Sequence, residues 1–266
     1  DIHSGVSGTV SEITTITAPN GATQTAVVIV PDGEQKVDPA IAPPEVTDYK
    51  SFVDAIRASG LVGLGGAGFP TAVKLSPKNL DEIDTLLING AECEPYITSD
   101  NRCFLEDTHH VLGGIKAVMK YLNIPKCIIG IEGNKLDAVE HLKSLLPAGS
   151  GIQIETLKTR YPQGAEKQLI QRVTGREVPP GGLPADVGCT VFNVATASAI
   201  YDAVTEGKPL THRNVTLTGG AMTRPLNVFA PIGTPLEHLV KMAGGFKTPP
   251  QRLLMGGPMM GNPQYD

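Results

Sequence analysis

The segment at residues 60–74 reads G-L-V-G-L-G-G-A-G-F-P-T-A-V-K, and four glycines fall within residues 63–68. This run satisfies the pattern G-x-G-x-x-G, but a dinucleotide-binding loop of that type follows a strand and begins a helix. Here a predicted helix precedes the run. The run still indicates a ligand site on physical grounds. Glycines let the backbone approach a ligand closely and direct several N–H groups into one concavity. A flexible connector is the alternative interpretation.

Outward from this loop, predicted strands alternate with predicted helices. The strands are 85–89, 126–131 and 152–157, and the helices are 47–60, 103–122, 135–146 with Asn134 as its cap, 165–173 and 193–205. Such alternation is typical of βαβ units, which form a mainly parallel sheet covered on both faces. We therefore predict an α/β fold with a Rossmann-like parallel sheet.

The two ends of the chain have a different pattern. Residues 8–17 and 23–30 predict two strands joined by a turn at 19–21, and residues 31–46 carry four prolines without periodicity, as in a linker. Near the other end, strands are predicted at 214–218, 226–229 and 252–255. The helix between them has a predicted capping box, with Thr234 at N-cap, Pro235 at N1 and Glu237 at N3. The predicted domains are therefore a β-rich segment with a linker (1–46), an α/β domain (47–207) and a β-grasp α+β module (208–266).

The composition disfavours several classes of function. With 41% hydrophobic residues among 266, the chain can bury a sizeable core. Aromatic residues are only 5% and Trp is absent, which disfavours stacking on nucleic-acid bases. A net charge of −5 gives no general attraction to nucleic acid or anionic lipid. No uncharged run reaches the roughly 20 apolar residues of a membrane span. We expect a small molecule or another protein as the partner.

The cysteines and histidines predict no metal site. Cys93, Cys103, Cys127 and Cys189 contain no Cys-x-x-Cys spacing, so an iron–sulfur cluster within these residues is disfavoured and reduced thiols in the cytosol are expected. Adjacent side chains such as His109 and His110 diverge by about 100° on a helix, and no third ligand stands at a matching spacing.

Charged residues near the loop and the first strand are candidates for ligand binding. Glu92 and Glu94 follow a predicted strand, at the end where open α/β sheets bind ligands, and would share a face if the backbone stays extended. Lys74 follows the glycine run, where its ammonium can meet a phosphate or a ring carbonyl. Glu166 lies in the first turn of a predicted helix, where a carboxylate is favourable in any case. Solvated side chains are the alternative for Glu92, Glu94 and Lys74.

Three motifs resemble those of a known family. The segment at 60–74 resembles the flavin loop of the flavoprotein subunit of respiratory complex I, whose pattern is G-R-G-G-A-G-F-P-T-G-x-K. Residues 88–95, I-N-G-A-E-C-E-P, resemble its segment C-N-A-D-E-S-E-P. Residues 159–169, T-R-Y-P-Q-G-A-E-K-Q-L, are closer still to the RnfC family, a component of the Rnf ion-translocating electron-transport complex. The whole chain is similar to the central part of RnfC proteins.

The resemblance implies roles for individual residues. The implied contacts to flavin mononucleotide (FMN) are Gly63, Gly65, Gly66, Gly68, Lys74, Asn89, Glu92, Asn193 and Thr196. Phe69 would face the nicotinamide nucleotide together with Glu94 and Glu166, which are the implied catalytic residues. The chain departs from the complex I pattern at Ala91, Ala165 and Phe192, and residues 179–182 lack the phenylalanine that would stack on adenine.

The resemblance also implies a function and a setting. The chain would be an electron-transfer flavoprotein subunit that exchanges hydride between NAD(H) and FMN and passes electrons to 4Fe–4S clusters. The cluster-binding domain is absent here, so the clusters would belong only to the full-length protein, of which this chain is a fragment. Its N-terminal strands would end a barrel-sandwich region, and its β-grasp module would be of the soluble-ligand-binding type.

The partners implied are the other Rnf subunits, with ferredoxin reached indirectly. The chain, itself soluble, would lie at the cytoplasmic face of the bacterial membrane and contact it only through the complex. Two alternatives remain. One is a corrinoid reductase flavoprotein of the same layout, and the other is a non-enzymatic binding module in which the glycine loop is only structural.

Overall fold

The structure is a computed structural model that describes residues 1–17 and 21–264. It divides into two compact units, which are Pro43–Leu210 with Asp1, and Ile2–Ala42 with the described part of Thr211–Asp266. The predicted turn at 19–21 lies mostly outside the described residues. The division of the sequence into three domains stays a prediction.

Strands and helices alternate through most of the described chain. The strands are β1 (Gly8–Thr17), β2 (Thr23–Pro31), β3 (Thr85–Gly90), β4 (Lys126–Glu132), β5 (Ile152–Leu157), β6 (Cys189–Asn193), β7 (His212–Leu217), β8 (Leu226–Pro231), β9 (Leu253–Met255) and β10 (Asn262–Gln264). The helices are α1 (Tyr49–Ala58), α2 (Thr71–Lys74), α3 (Ser99–Glu106), α4 (Thr108–Tyr121), α5 (Leu136–Leu145), α6 (Glu166–Thr174), α7 (Val194–Thr205) and α8 (Leu236–Met242). Within the described residues, no helix has the length and apolar character needed to cross a bilayer.

A four-stranded parallel sheet, in the order β5-β4-β3-β6, forms the centre of the first unit. Because successive side chains of a strand point to opposite faces, Leu86 and Ile88 of β3 enter one core cluster and Leu87 enters another. The first cluster joins the sheet to α1, α3, α4, α5 and α7, and the second joins it to α6. Both faces are covered, which confirms the predicted α/β fold.

Helix α1 shows how local sequence sets an element boundary. Asp48 is its N-cap and accepts a hydrogen bond from the backbone N–H of Ser51 at 2.8 Å. Phe52, Val53 and Ile56 form its buried stripe. Burying one such side chain contributes about 1.5–3 kcal/mol, so this stripe rather than helix propensity fixes α1 on the sheet.

Two predictions in this unit were wrong, and one strand was missed. The single helix predicted at 103–122 is two helices, because Asp107 has the non-helical dihedral angles φ −110° and ψ 24°. Lys135 rather than Asn134 stands at the N-cap position of α5. Strand β6 was not predicted, because its five residues run directly into a helix and are too short to show a period.

The second unit contains three antiparallel strand pairs, β1–β2, β7–β8 and β9–β10, and helix α8. Its core cluster contains Leu217, Met222, Ala230, Leu239 and Ala243. The predicted strand–strand–helix–strand order after residue 208 is confirmed. The predicted capping box is wrong, because Pro235 itself takes the N-cap position of α8. The Thr234 hydroxyl donates to the Pro231 carbonyl at 2.7 Å instead of capping the helix.

Candidate functional site

The predicted flavin residues meet at the carboxyl edge of the sheet, between β3 and β6. The chain passes from β3 to β4 and β5 on one side, and β6 pairs with β3 on the other. Open α/β sheets bind ligands at such a reversal of strand order. Asn89 at the end of β3 is the register partner of Asn193 at the end of β6. Two motifs that lie far apart in sequence are therefore direct neighbours.

The glycine loop, residues 63–69, is a closed loop fastened to this edge. The Gly63 N–H donates to the Phe69 carbonyl at 2.8 Å, and Val62 and Pro70 form an antiparallel bridge at the base of the loop. The Leu64 N–H donates to the Thr196 hydroxyl of α7 at 2.9 Å. An added Cβ at Gly65 would lie only 3.1 Å from the Cβ of Asn193. The loop and the start of α7 thus form one surface.

The other side of the glycine loop is open. Gly66 and Gly68 have φ values of 122° and 64°, and no atom lies within 4 Å of a Cβ added at either position. Residues 65–70 are exposed, and Phe69 is 52% exposed. This is a cradle that side chains would fill and that glycines leave free for a planar group. The residues present therefore fit the implied FMN.

Lys74 and Glu166 form an ion pair across two separate motifs. The Lys74 Nζ lies 2.5 Å from Glu166 Oε1, and it also lies 5.7 Å from the centroid of the Phe192 ring. Both charged side chains are half-buried. An implied FMN contact and an implied catalytic residue are therefore in direct contact, and the positive charge is held beside the glycine loop.

The two asparagines are engaged by the protein itself. Asn89 Nδ2 donates to the Gly164 carbonyl at 2.7 Å, which ties β3 to the segment before α6. Asn193 Oδ1 caps α7 by accepting from the Ala195 N–H at 2.9 Å, while its Nδ2 donates to Asp100 Oδ2 at 2.6 Å. These side chains fix the backbone around the cradle.

Glu92 points into the protein. Its φ is 47°, so the extended backbone that would place Glu92 and Glu94 on one face is absent. The Glu92 side chain is 1% exposed and accepts the Asp100 N–H at the start of α3 at 2.6 Å. Burial, together with the nearby Asp100 carboxylate, raises the pKa of Glu92 to about 7. Glu94 is half-buried in the same loop. The roles implied for both residues stay predictions.

Lys135 is a buried residue of this edge that belongs to none of the sequence motifs. Its Nζ donates to the Ala91 carbonyl at 3.2 Å and lies 3.8 Å from Glu92 and 3.9 Å from Glu132. Its side chain is only 9% exposed, and burial raises the pKa of Glu132. The i, i+3 spacing of Glu132 and Lys135 was a visible signal, but their burial was not.

The two histidines join α4 to α7. His110 Nδ1 lies 2.7 Å from Asp202 Oδ1, and His109 Nε2 lies 3.0 Å from the Tyr201 hydroxyl oxygen. Glu206 brings a third possible ligand atom within 4.8 Å of His110 and Asp202. The sequence spacing could not predict this group of three residues, because Asp202 and Glu206 lie far from His110 in sequence.

A glycine cradle at the strand-order reversal of a parallel α/β sheet defines a Rossmann-like ligand-binding domain. The profile of the Nuo51 FMN-binding domain family matches residues 56–202, and the chain belongs to this family. The profile of the SLBB domain matches residues 214–263 in the second unit.

Relatives from ion-translocating complexes match nearly the full chain. It is 44% identical over 98% of its length to the subunit designated C in the proton-translocating ferredoxin:NAD(+) oxidoreductase complex of Clostridium ljungdahlii. Its identity is 41% over 99% to the corresponding subunit of the Na(+)-translocating complex of Acetobacterium woodii, and 45% over 98% to that of the ion-translocating oxidoreductase complex of Pseudomonas aeruginosa. The resemblance to the RnfC family is confirmed. The chain spans 58%, 60% and 34% of these relatives, respectively.

Solved structures agree on the fold. A crystal structure of the NAD+-reducing [NiFe]-hydrogenase in the H2-reduced state matches with a TM-score of 0.66 over 79% of this chain and 42% of that chain. The air-oxidized state of that hydrogenase matches with a TM-score of 0.64 over 75% of this chain and 39% of that chain. The identities are 23% and 22%, so the likeness concerns the fold alone.

Proposed function

We propose that this chain is the flavin-bearing part of an ion-translocating ferredoxin:NAD oxidoreductase subunit, and that it exchanges hydride between NAD(H) and FMN. The observation that carries this proposal is the junction of the glycine loop with α7, where the Leu64 N–H meets the Thr196 hydroxyl. That junction forms an open cradle at the edge of the sheet where ligands bind in this fold class.

Each residue of the cradle has a proposed task. The backbone at Gly66 and Gly68 offers a flat, unobstructed surface for the ring, and Lys74 offers a positive charge held by Glu166. FMN, when bound, supplies the two-electron chemistry, and the protein supplies position and electrostatics. Phe69 is exposed on the loop and would cover the nicotinamide side. Glu94 and Glu166 would orient the nucleotide.

The wider role extends to the full-length protein. We propose that electrons pass from this domain to 4Fe–4S clusters that lie outside this chain, with ferredoxin as an indirect partner and the other subunits of the complex as direct ones. The setting proposed is peripheral, at the cytoplasmic face of the bacterial membrane. All four cysteines of this chain are free, and Cys103, Cys127 and Cys189 are buried, as is expected of structural thiols.

The test is reconstitution of the chain with FMN under anaerobic conditions. We expect one bound flavin, bleaching of its absorbance by NADH, and no stoichiometric iron. The four single Cys→Ser variants should bleach as well. A chain that binds no flavin would favour the non-enzymatic module, and iron with bleaching lost in several variants would show that the thiols form a redox site.

A further inference from the structure

Three side chains with metal-ligating atoms meet where α4 packs on α7. His110 lies in the first turn of α4, whereas Asp202 lies near the end of α7 and Glu206 at its C-cap. Asp202 and Glu206 are four residues apart, so they share one face of α7. One ligand atom from each of the three residues lies within 4.8 Å of the other two. Sequence spacing offers His110 no further ligand, whereas this packing supplies two.

The separations of these atoms suit a single metal ion. Zn²⁺ binds imidazole nitrogen at about 2.0–2.1 Å and carboxylate oxygen at about 2.0–2.2 Å, so two ligands of a tetrahedral site lie about 3.4 Å apart. His110 Nδ1 lies 2.7 Å from Asp202 Oδ1, and the ligand atom of Glu206 lies within 4.8 Å of both. Small side-chain rotations would bring all three onto one ion. Three protein ligands leave the fourth position to water.

The contact between His110 and Asp202 is not an ordinary hydrogen bond. Asp202 Oδ1 is shielded from solvent, and no described residue forms a hydrogen bond with it, although His110 Nδ1 lies at 2.7 Å. A shielded carboxylate oxygen without a hydrogen bond is unfavourable. A metal ion bound to both atoms would satisfy this oxygen and the imidazole nitrogen together.

The charges around the site favour a cation. The charged neighbours that act most strongly on the Asp202 carboxylate are His110, Lys208, Glu206 and Asp107. Two further carboxylates therefore stand with Asp202 against one lysine, and that lysine already pairs with Glu206. Like charges four residues apart on a helix are destabilising, and a divalent ion between Asp202 and Glu206 would offset their repulsion.

The imidazole of His110 is held in place by its neighbours. Its centroid lies 4.9 Å from that of the Tyr201 ring, and the Tyr201 hydroxyl oxygen lies 3.0 Å from His109 Nε2. His110 is also half-buried. These contacts restrict rotation of the ring, and ligands that are oriented before binding make a stronger metal site.

We propose that His110, Asp202 and Glu206 bind one divalent transition-metal ion, such as Zn²⁺, which joins the start of α4 to the end of α7. One nitrogen and two carboxylates suit such an ion better than Mg²⁺ or Ca²⁺, which prefer oxygen ligands. The role of the ion is structural, because it holds α7, whose first turn carries Thr196, against α4. The three ligands are not among the proposed FMN contacts, so the site is independent of the proposed function.

The test is calorimetric titration of ZnCl₂ into the whole chain after bound metals have been removed with EDTA. We expect a single ion per chain and a rise in the thermal unfolding midpoint, because the ion binds the folded state. Mg²⁺ and Ca²⁺ should bind far more weakly. Co²⁺ in place of zinc should give no thiolate charge-transfer absorption, which distinguishes this site from the free cysteines.

Two variants each remove one ligand. His110→Asn and Glu206→Gln should weaken Zn²⁺ binding at least as much as loss of an outer-shell partner does, which is about 10–100-fold. Glu206 lies at a half-buried helix end, so Glu206→Gln remains a test even if His110→Asn does not fold. His238→Asn is the matched control, because this exposed histidine lies on α8 in the other unit, and it should keep wild-type affinity.

Lys208→Gln distinguishes the metal site from a cluster of ion pairs. It should bind Zn²⁺ at least as tightly as the wild type, because the lysine competes with the ion for Glu206. Weaker binding in this variant, or no saturable binding of Zn²⁺ to the wild type, would overturn the site. Unchanged affinity in both ligand variants would do the same. Thiolate absorption with Co²⁺ would assign the ion to the cysteines, and equal affinity for Mg²⁺ would contradict nitrogen ligation.

Discussion

At the scale of single residues, Gly66 is the sharpest test of the cradle. Its φ of 122° is a conformation that residues with a Cβ rarely adopt, and a side chain there would enter the open space proposed for the flavin. We expect Gly66→Val to abolish FMN binding, measured by quenching of flavin fluorescence. The strain itself should cost about 1–3 kcal/mol in the free energy of unfolding.

Gly149→Val is the control for that strain. Gly149 also has a positive φ, 77°, and open space around its missing Cβ, but it lies in the turn before β5. This variant should lose comparable stability and keep its FMN. Equal FMN affinity in the two variants would move the flavin site away from the glycine loop.

Glu92 gives the structure a specific dependence on pH. Because its pKa is about 7 in the folded chain and 4.5 ordinarily, the folded state binds more protons than the unfolded state between these values. The free energy of unfolding should therefore decrease as pH rises from 5 to 8, with a contribution from Glu92 on the order of 2 kcal/mol.

Comparison with Glu92→Gln separates the contribution of Glu92 to this pH dependence from that of the other titratable groups. Urea unfolding of both proteins at pH 5 and pH 8 should show a smaller loss in the variant, since glutamine does not titrate. Identical pH dependence in the two proteins would mean that Glu92 is ionised throughout this range and that its burial does not raise its pKa.

At the scale of elements, the packing of α4 on α7 positions the cradle. A Cβ at Gly114 would lie 1.8 Å from the Ala197 carbonyl oxygen, which is backbone and cannot move aside alone. Helix α7 carries Thr196, the partner of Leu64, in its first turn. We expect Gly114→Ala to lower the free energy of unfolding by about 1–3 kcal/mol and to weaken FMN binding, because α7 must shift.

Gly113 on the same helix is the matched control. A Cβ there would meet the Tyr201 ring at 2.2 Å, and that ring also contacts His109 and His110. The higher helix propensity of alanine, by about 1 kcal/mol, offsets part of the lost contact. Because the clash is with a side chain and not with the backbone of α7, Gly113→Ala should lower the free energy of unfolding but keep FMN affinity within a few-fold. A neutral Gly114→Ala would show that the α4–α7 contact does not constrain the cradle.

At the scale of the whole molecule, every residue proposed to bind FMN lies between Pro43 and Leu210, within one compact unit. The two core clusters on the faces of the parallel sheet also lie within this unit. We therefore expect residues 43–210, produced alone, to unfold cooperatively and to bind FMN within a few-fold of the whole chain. Circular dichroism and flavin titration test this, and a folded fragment without FMN affinity would assign part of the site to the other unit.

Local sequence determined the elements and most of the cradle. Strands β3, β4 and β5 and most of the helices that cover them were predicted because their signals lie within a few residues of one another. The glycine loop was predicted to be open to a ligand for the same reason. Glycines have no Cβ, so a run of them leaves the backbone accessible.

Only the tertiary structure decided which of these parts meet. Strand β6 was too short to show a period, so the sequence could not predict that Asn89 and Asn193 are register partners in the sheet. The pairing of Lys74 with Glu166 joins segments separated by much of the first unit. Glu92 turns inward because α3 offers it free N–H groups and Lys135 holds its backbone. Periodicity and turn chemistry act over a few residues. The direction of each side chain in the site depends instead on hydrogen bonds and burial that involve residues distant in sequence.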